Sequence, residues 1–229
     1  MHQLFLLRHG ESDQNIGINK IGRIPDHAVE LTHRGLDQAH DAGVFLSGYL
    51  KGVNPELISM WVSPYKRTRQ TAQYFMHGFN NGSTFVHHAN VKEDSMLTEL
   101  QFGIFDAIPK EDLPNVFPVE WAEYQRNRQF NGKYFARRPG GESPFDCEIR
   151  QKLWLDSLYR DIHAGTCTPY IIVVGHGAAL TILRKAIFHY SHEWYAQEPN
   201  PGNCSIQSIL LDPHRNIDKG YIYGSAERD

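Results

Sequence analysis

The chain reads as an α/β protein, a three-layer α/β/α sandwich with a mostly parallel central sheet and one helical and loop insertion. Three observations predict this. Short apolar runs alternate with stretches of helical periodicity along the chain. The run Tyr170–Gly175 is continuous and β-branched, as expected of a central strand buried on both faces. Two apolar runs also end in the same way. Leu4-Phe5-Leu6-Leu7 breaks into Arg8-His9-Gly10-Glu11, and Val173-Val174 breaks into Gly175-His176-Gly177. In a doubly wound sheet, ligands bind beyond the carboxyl ends of the strands. The two joins therefore place two histidines and an arginine where a binding site is expected.

Each element follows in order. Leu4–Leu7 is the first strand. Thr32 can cap a helix whose apolar residues Leu36, Ala39, Gly43, Leu46 and Leu50 recur at spacings of three and four. Leu57–Val62 is a second strand ended by Ser63-Pro64, and a helix follows through Arg67, Thr71, Ala72 and Phe75. After the Asn80-Asn81-Gly82 turn, Thr84–Val91 is expected as a weaker third strand.

Residues 93–142 are irregular, interrupted by Pro109, Pro114 and Pro118 and closed by Gly140-Gly141; a single helix is expected there, around Val119–Arg128. Ser143-Pro144 provides an N-cap and a proline at the first helical position. The helix it opens is read with Phe145, Ile149, Leu153, Leu158 and Ile162 along one side. Tyr170–Gly175, a helix over Ala178–Phe188 and a strand over Cys204–Leu211 complete the set. No repeat, low-complexity tract or linker divides the chain. One domain over 1–229 with a lid-like insertion at about 93–142 is the economical organisation.

Composition narrows the class. Hydrophobic residues at 41% and charged residues at 21% are ordinary globular values. A net charge of −3 gives no global field for nucleic acid, so any anion binding must be local. No apolar run reaches the length of a membrane span, and the apolar start is too short, and lacks the basic flank, for a signal peptide. Cys147, Cys167 and Cys204 are odd in number and widely spaced, which fits neither a disulfide framework nor a zinc pattern. A reduced, cytoplasmic protein is expected.

The residues at the strand ends suit phosphoryl chemistry. Phosphoryl oxygens need fixed positive charge, which arginine supplies through bidentate, charge-assisted hydrogen bonds. The phosphorus needs a nucleophile that works unprotonated near neutral pH, and imidazole does so. The leaving alkoxide needs a proton from an acid kept protonated by its surroundings. Arg8 and His9 form one pair, and Arg67 lies at the start of the helix after the second strand, where N–H groups also favour an anion. Glu99 is an acid among apolar neighbours, His176 can add a donor to the phosphoryl oxygens, and Asn15 is a further polar group near the first turn.

Taken in order, these residues resemble the histidine phosphatase superfamily, the phosphoglycerate mutase-like family. The matching segments are Leu7-Arg8-His9-Gly10-Glu11-Ser12 with Asn15, Leu31-Thr32 with Gly35, Gln38 and Ala39, and Ser63-Pro64 with Arg67 and Thr71-Ala72. Glu99 with Phe102-Gly103, Gly140-Gly141-Glu142-Ser143, Gly175-His176-Gly177 and Asn203-Cys204-Ser205-Ile206 continue the series. The stretch from Asp106 to Arg138 matches least.

The resemblance implies His9 as a nucleophile that becomes phosphohistidine, and Arg8, Arg67, His176, Asn15 and Gly177 as the phosphate pocket. It implies Glu99 as general acid and then base, and no metal or other cofactor. A phosphomonoesterase is favoured over a mutase, because Ala178-Ala179 stands where mutases typically carry Asn-Ser and no proline-rich basic lid is evident. The alternatives are mutase-type phosphoryl transfer and a non-catalytic phosphate-binding module. The implied partner is a small phosphorylated substrate, with no nucleic acid and no membrane; the oligomeric state is not readable.

Several residues invite other readings. Glu93, Asp94, Asp106 and Glu111 neighbour Glu99, but only Glu99 is followed by Phe-Gly at the family's spacing. Lys66 and Arg69 cannot point where Arg67 points, because one helical turn fans them apart. His87-His88 falls in an expected strand, where adjacent side chains face opposite ways and cannot chelate together. His189 and His192 lie at a helix end with no third ligand. The aromatic and basic stretch from Trp121 to Arg138 is read as a lid over the phosphate pocket, its aromatics packing on the leaving group or simply on the domain.

Overall fold

The computed structural model describes residues 1–17, 24–80, 91–106, 108–212 and 214–227. Along them run β1 (His2–Arg8), α1 (His33–Tyr49), β2 (Ile58–Val62), α2 (Lys66–Phe79) and β3 (Val91–Glu93). The short α3 (Leu113–Val116), α4 (Pro118–Asn131), α5 (Pro144–His163), β4 (Tyr170–Gly175) and α6 (Gly177–Phe188) follow. The chain continues with α7 (His192–Gln197), β5 (Ile206–Leu211) and β6 (Ile217–Tyr223). The strands form one sheet in the order β3-β2-β4-β1-β5-β6. β1 to β4 are mutually parallel, whereas β5 and β6 run antiparallel to their neighbours.

Both faces of the sheet are covered, which explains the unbroken apolar character of the central strands. Side chains alternate across β1. Phe5 and Leu7 join Ala39, Ala42 and Leu46 of α1 and Ala72 and Phe75 of α2 on one face. Leu4 and Leu6 join Trp154, Leu155 and Leu158 of α5 and Leu180 and Leu183 of α6 on the other. Thr32 caps α1 as its sequence indicates, accepting from the Gly35 amide at 3.0 Å. Ser143 and Asp146 form a reciprocal capping box at the start of α5.

α5 corrects one expectation. Phe145, Ile149 and Leu153 are 42%, 48% and 58% exposed, and the helix buries Cys147, Gln151, Trp154, Leu155 and Leu158 instead. At about 100° per residue, the step from Leu153 to Leu158 turns the chain by roughly 140°. The five residues read as one side therefore span two, and the arc carrying Trp154 faces the sheet.

Other bounds shift for local reasons. The strand expected from Cys204 begins at Ile206, because Cys204 turns the chain with φ of 52°. The predicted helix around Val119–Arg128 lies within α4, but the short α3 precedes it, opened by Leu113-Pro114, so the expectation of a single helix in this stretch is corrected. Between β3 and α5, Phe105, Leu113, Tyr124 and Ala136 form a small core with Phe117 and Trp121. These aromatics pack within their own segment. Residues 84–90 of the expected third strand, with His87-His88, lie outside the described residues; β3 starts at Val91. β6, a partly exposed strand with Gly220 in it, carries too weak an alternation to be read from sequence. Among the described residues no helix is long and apolar enough to cross a membrane.

Candidate active site

Three parallel strands end together. Arg8 pairs with Gly175 in the register of β1 and β4. The His9 amide donates to Gly175 O at 3.0 Å, and the Ser63 amide at the end of β2 donates to Val174 O at 3.1 Å. The rings of His9 and His176 consequently lie 5.3 Å apart, centroid to centroid. The turn after β1 passes directly against α1, where a Cβ on Gly10 would stand 2.3 Å from Gly35 O. Only glycine permits that approach.

The turn fixes the tautomer of His9. Its Nδ1 lies 2.7 Å from Gly10 O, so Nδ1 carries the proton and Nε2 the lone pair. The Gly10 amide is held in turn by Thr71 Oγ1 at 3.1 Å, and that hydroxyl donates to Arg67 O at 2.7 Å. Asn203 Nδ2 and the Cys204 amide donate to His9 O at 3.1 and 3.3 Å. Burial, with the cations of Arg67 and Arg8 nearby, holds the imidazole well below its usual pKa. The ring is neutral at physiological pH and bears an oriented lone pair.

A cavity of about 110 Å³ adjoins it, lined by Arg8, His9, Asn15, Arg67 and Glu99 together with Asp26 and Phe102. Five of the sequence-predicted residues thus meet around one space. A larger groove of about 1130 Å³ opens elsewhere, lined by Tyr159, His163, Tyr190 and Asn216, beyond the opposite end of the sheet; it contains none of them.

The two arginines are anchored by different groups. Arg8 Nη1 donates to Pro201 O at 2.6 Å and pairs with Glu227, while its buried Nε has no hydrogen-bond partner among the described residues. An unpaired buried donor is costly unless an anion takes it. Arg67 Nη1 donates to Asp26 O at 2.6 Å and Asp26 Oδ1 at 2.7 Å. Its Nε donates to His176 Nδ1 at 3.2 Å. Lys66 and Arg69, on the same helical turn, point away to Glu30 and Glu93.

His176 and Gly177 stand behind the cavity rather than on its wall. His176 is fully buried, with Nε2 2.7 Å from Ser63 Oγ and Nδ1 facing Arg67. Both ring nitrogens are engaged, and burial with the neighbouring cations keeps the ring neutral. A Cβ on Gly177 would lie 3.4 Å from the guanidinium carbon of Arg8, so that residue provides the bed on which Arg8 rests.

Glu99 faces the cavity from the other side. Its Oε1 accepts from the Leu100 amide at 2.8 Å and from the Ala179 amide, in the first turn of α6, at 3.0 Å. Oε2 has no protein partner among the described residues. Burial raises the carboxyl above its usual pKa, against the lowering effect of the two amides and Arg67. Asn15 Oδ1 accepts from Ser12 N and Oγ, both at 3.0 Å, and from Asn203 Nδ2 at 3.3 Å. Among the described residues the side-chain Nδ2 of Asn15 donates to no protein group, which leaves it available to an anion.

Asp26, Ser63, Thr71 and Asn203 organise the site without having been assigned roles from the sequence. Ser63, Thr71 and Asn203 fall within the motifs already noted. Asp26 belongs to no pattern, and its place is visible only where the turn Asp26–Ala28 meets Arg67 of α2. His189 and His192 do not form a site: His189 ends α6 with φ of 54°, and His192 pairs with Glu193.

A lone-pair imidazole flanked by two arginines, with a carboxyl group across a small cavity, is an arrangement for phosphoryl transfer. The chain belongs to the histidine phosphatase superfamily, branch 1, whose family model matches residues 4–219. Phosphoglycerate mutase-like protein AT74 of Arabidopsis thaliana is 31% identical over 218 residues, covering 91% of this chain. This chain spans only 65% of that relative's length. Among solved structures, the alpha-ribazole phosphatase of Shigella flexneri superposes with a TM-score of 0.75 at 18% identity, over 99% of both chains. A mycobacterial glucosyl-3-phosphoglycerate phosphatase solved with VO3 gives 0.70 at 20% identity, over 99% of this chain and all of that one. These structures share the fold of this chain.

Proposed function

We propose that the protein hydrolyses a phosphate monoester of a small molecule through a phosphohistidine at His9. The observation that carries this reading is the state of His9: neutral, with Nδ1 fixed on Gly10 O and Nε2 left for the cavity.

In the first step Nε2 of His9 attacks phosphorus, the N–P bond forms and the bond to the ester oxygen breaks. Arg8 Nε, the Arg67 guanidinium and the Asn15 amide hold the phosphoryl oxygens as charge develops. Glu99, protonated on Oε2, gives its proton to the leaving oxygen. In the second step Glu99 takes a proton from water, whose oxygen attacks the phosphoryl group and releases His9. His176 holds Arg67 in place throughout. The segment between β3 and α5 forms one wall through Phe102 and is read as a cover for the leaving group.

Hydrolysis of p-nitrophenyl phosphate in chelator, comparing wild type with His9→Ala, tests the reading. Turnover that survives chelator and vanishes in a folded His9→Ala protein is expected, and retained turnover in the variant would overturn the mechanism. Phosphoryl transfer to a hydroxy-acid acceptor in preference to water would reassign the protein to mutase chemistry.

A further inference from the structure

Glu99 lies on a stretch with no helix or strand of its own, between the 3-10 turns Ser95–Leu97 and Gly103–Phe105. Such a segment needs outside support if a carboxyl on it is to meet a leaving group at bonding distance. α6 supplies part, by holding Oε1 through the Ala179 amide. Further support comes from Arg150 of α5 and from Glu142, just before that helix.

Arg150 Nη1 donates to Met96 O at 2.6 Å, and Nη2 donates to Thr98 O and to Glu99 O itself, both at 2.9 Å. On its other edge the guanidinium meets Glu142, with Nε to Oε1 at 2.8 Å and Nη2 to Oε2 at 3.1 Å. Glu142 continues the grip. Its Oε2 also accepts from the Gln101 amide at 3.1 Å, and its own amide donates to Gln101 O at 2.9 Å. Arg150 and Glu142 therefore hold the main chain on both sides of Glu99, from residue 96 to residue 101. The fit leaves no slack: Gly103 has φ of 62°, and a Cβ there would stand 2.1 Å from Pro139 O.

We propose that Arg150 and Glu142 are positioning residues for Glu99, setting both where its carboxyl points and how readily it keeps its proton. This rests on the reading of Glu99 as the general acid. The planar fork of arginine serves three carbonyls and a carboxylate at once, which the single ammonium of lysine cannot do. Glu142 has a second task. The two side chains are only 14% and 15% exposed, so the Arg150 charge is poorly screened by solvent. Paired with Glu142 it is neutralised locally. Unpaired, it would stabilise the Glu99 carboxylate and strip the acid of its proton at lower pH.

The test compares Arg150→Lys, Glu142→Gln and Glu99→Gln on p-nitrophenyl phosphate and on phenyl phosphate, whose leaving group needs protonation far more. Folding is checked by thermal denaturation. Arg150→Lys is expected to lower kcat for phenyl phosphate roughly 10- to 100-fold, with a much smaller loss on p-nitrophenyl phosphate and KM nearly unchanged. Glu142→Gln is expected to move the alkaline limb of the phenyl phosphate profile to lower pH. Equal losses on both substrates with an unmoved limb would reduce the pair to a structural brace and overturn the proposal, as would no loss on either. Leaving-group dependence in Glu99→Gln but in neither other variant would sink the positioning role alone. Its absence in Glu99→Gln would remove the acid assignment itself.

Discussion

Nδ1 of His176 accepts a hydrogen bond from Nε of Arg67 at 3.2 Å, so the second strand-end histidine aims an arginine rather than facing the cavity. Its Nε2 is taken by Ser63 Oγ. Replacing His176 by Phe keeps the ring and removes the acceptor. Arg67 would then keep Asp26 as its hydrogen-bond partner and the Tyr65 ring beneath it, and kcat/KM for p-nitrophenyl phosphate should fall roughly 100-fold through misplacement of the phosphate clamp. An unchanged kcat/KM in a folded His176→Phe protein would show that these contacts suffice.

The nucleophile depends on α2 through one hydroxyl. Thr71 Oγ1 holds the Gly10 amide at 3.1 Å, and Gly10 O holds His9 Nδ1 at 2.7 Å. Thr71→Val preserves shape, leaves the Gly10 amide without that partner and loosens the peptide that sets the tautomer. We expect kcat to fall about tenfold with KM little changed, because the loss concerns the attacking ring rather than the arginines. A rise in KM at constant kcat would instead place the effect on phosphate binding.

His9 and His176 are both kept neutral by burial and by neighbouring arginines, with folded pKa values well below 6.5. The linkage has a definite sign. Below 6.5 the unfolded chain binds two protons that the native protein refuses, so this contribution to stability is present above 6.5 and is lost as pH falls toward the folded values. Thermal denaturation from pH 7.5 to pH 5 should show the midpoint falling, with a shallower slope in His9→Ala. Parallel slopes for the two proteins would mean that His9 takes up its proton as readily in the native protein as in the unfolded chain.

Much of this was legible in the chain because strand ends and motifs coincide. The apolar runs of β1 and β4 marked the strands, and the Arg8-His9 and His176-Gly177 joins marked their ends. Glu99 was marked by its apolar neighbours and separated from Glu93 and Asp94 by Phe102-Gly103 at the family's spacing. α5 was misread because a spacing of four drifts around a helix, and Phe145, Ile149 and Leu153 face outward while the bulk of Trp154 faces the sheet. The holding role of His176 was hidden, since sequence places a ring at a strand end but does not say what its nitrogens touch. Asp26 had no periodic or motif signal, because its only function in the site is a contact across forty-one residues of chain.

That contact makes Asp26 a competitor as well as an anchor. Its Oδ1 takes Arg67 Nη1 at 2.7 Å, on a residue that lines the cavity, so a bound phosphoryl group must share the guanidinium with a carboxylate. Asp26→Asn removes the negative charge and keeps both the Asp26 main-chain acceptor at 2.6 Å and a side-chain oxygen. Lifting like-charge repulsion on the order of 1 kcal/mol corresponds to a gain of about fivefold in anion affinity. Inhibition by inorganic phosphate should therefore tighten by about that factor in Asp26→Asn, while product release slows and kcat declines. Weaker inhibition would reverse the assignment. It would mean that aiming Arg67 matters more than the charge, and that the carboxylate serves the phosphate pocket instead of opposing it.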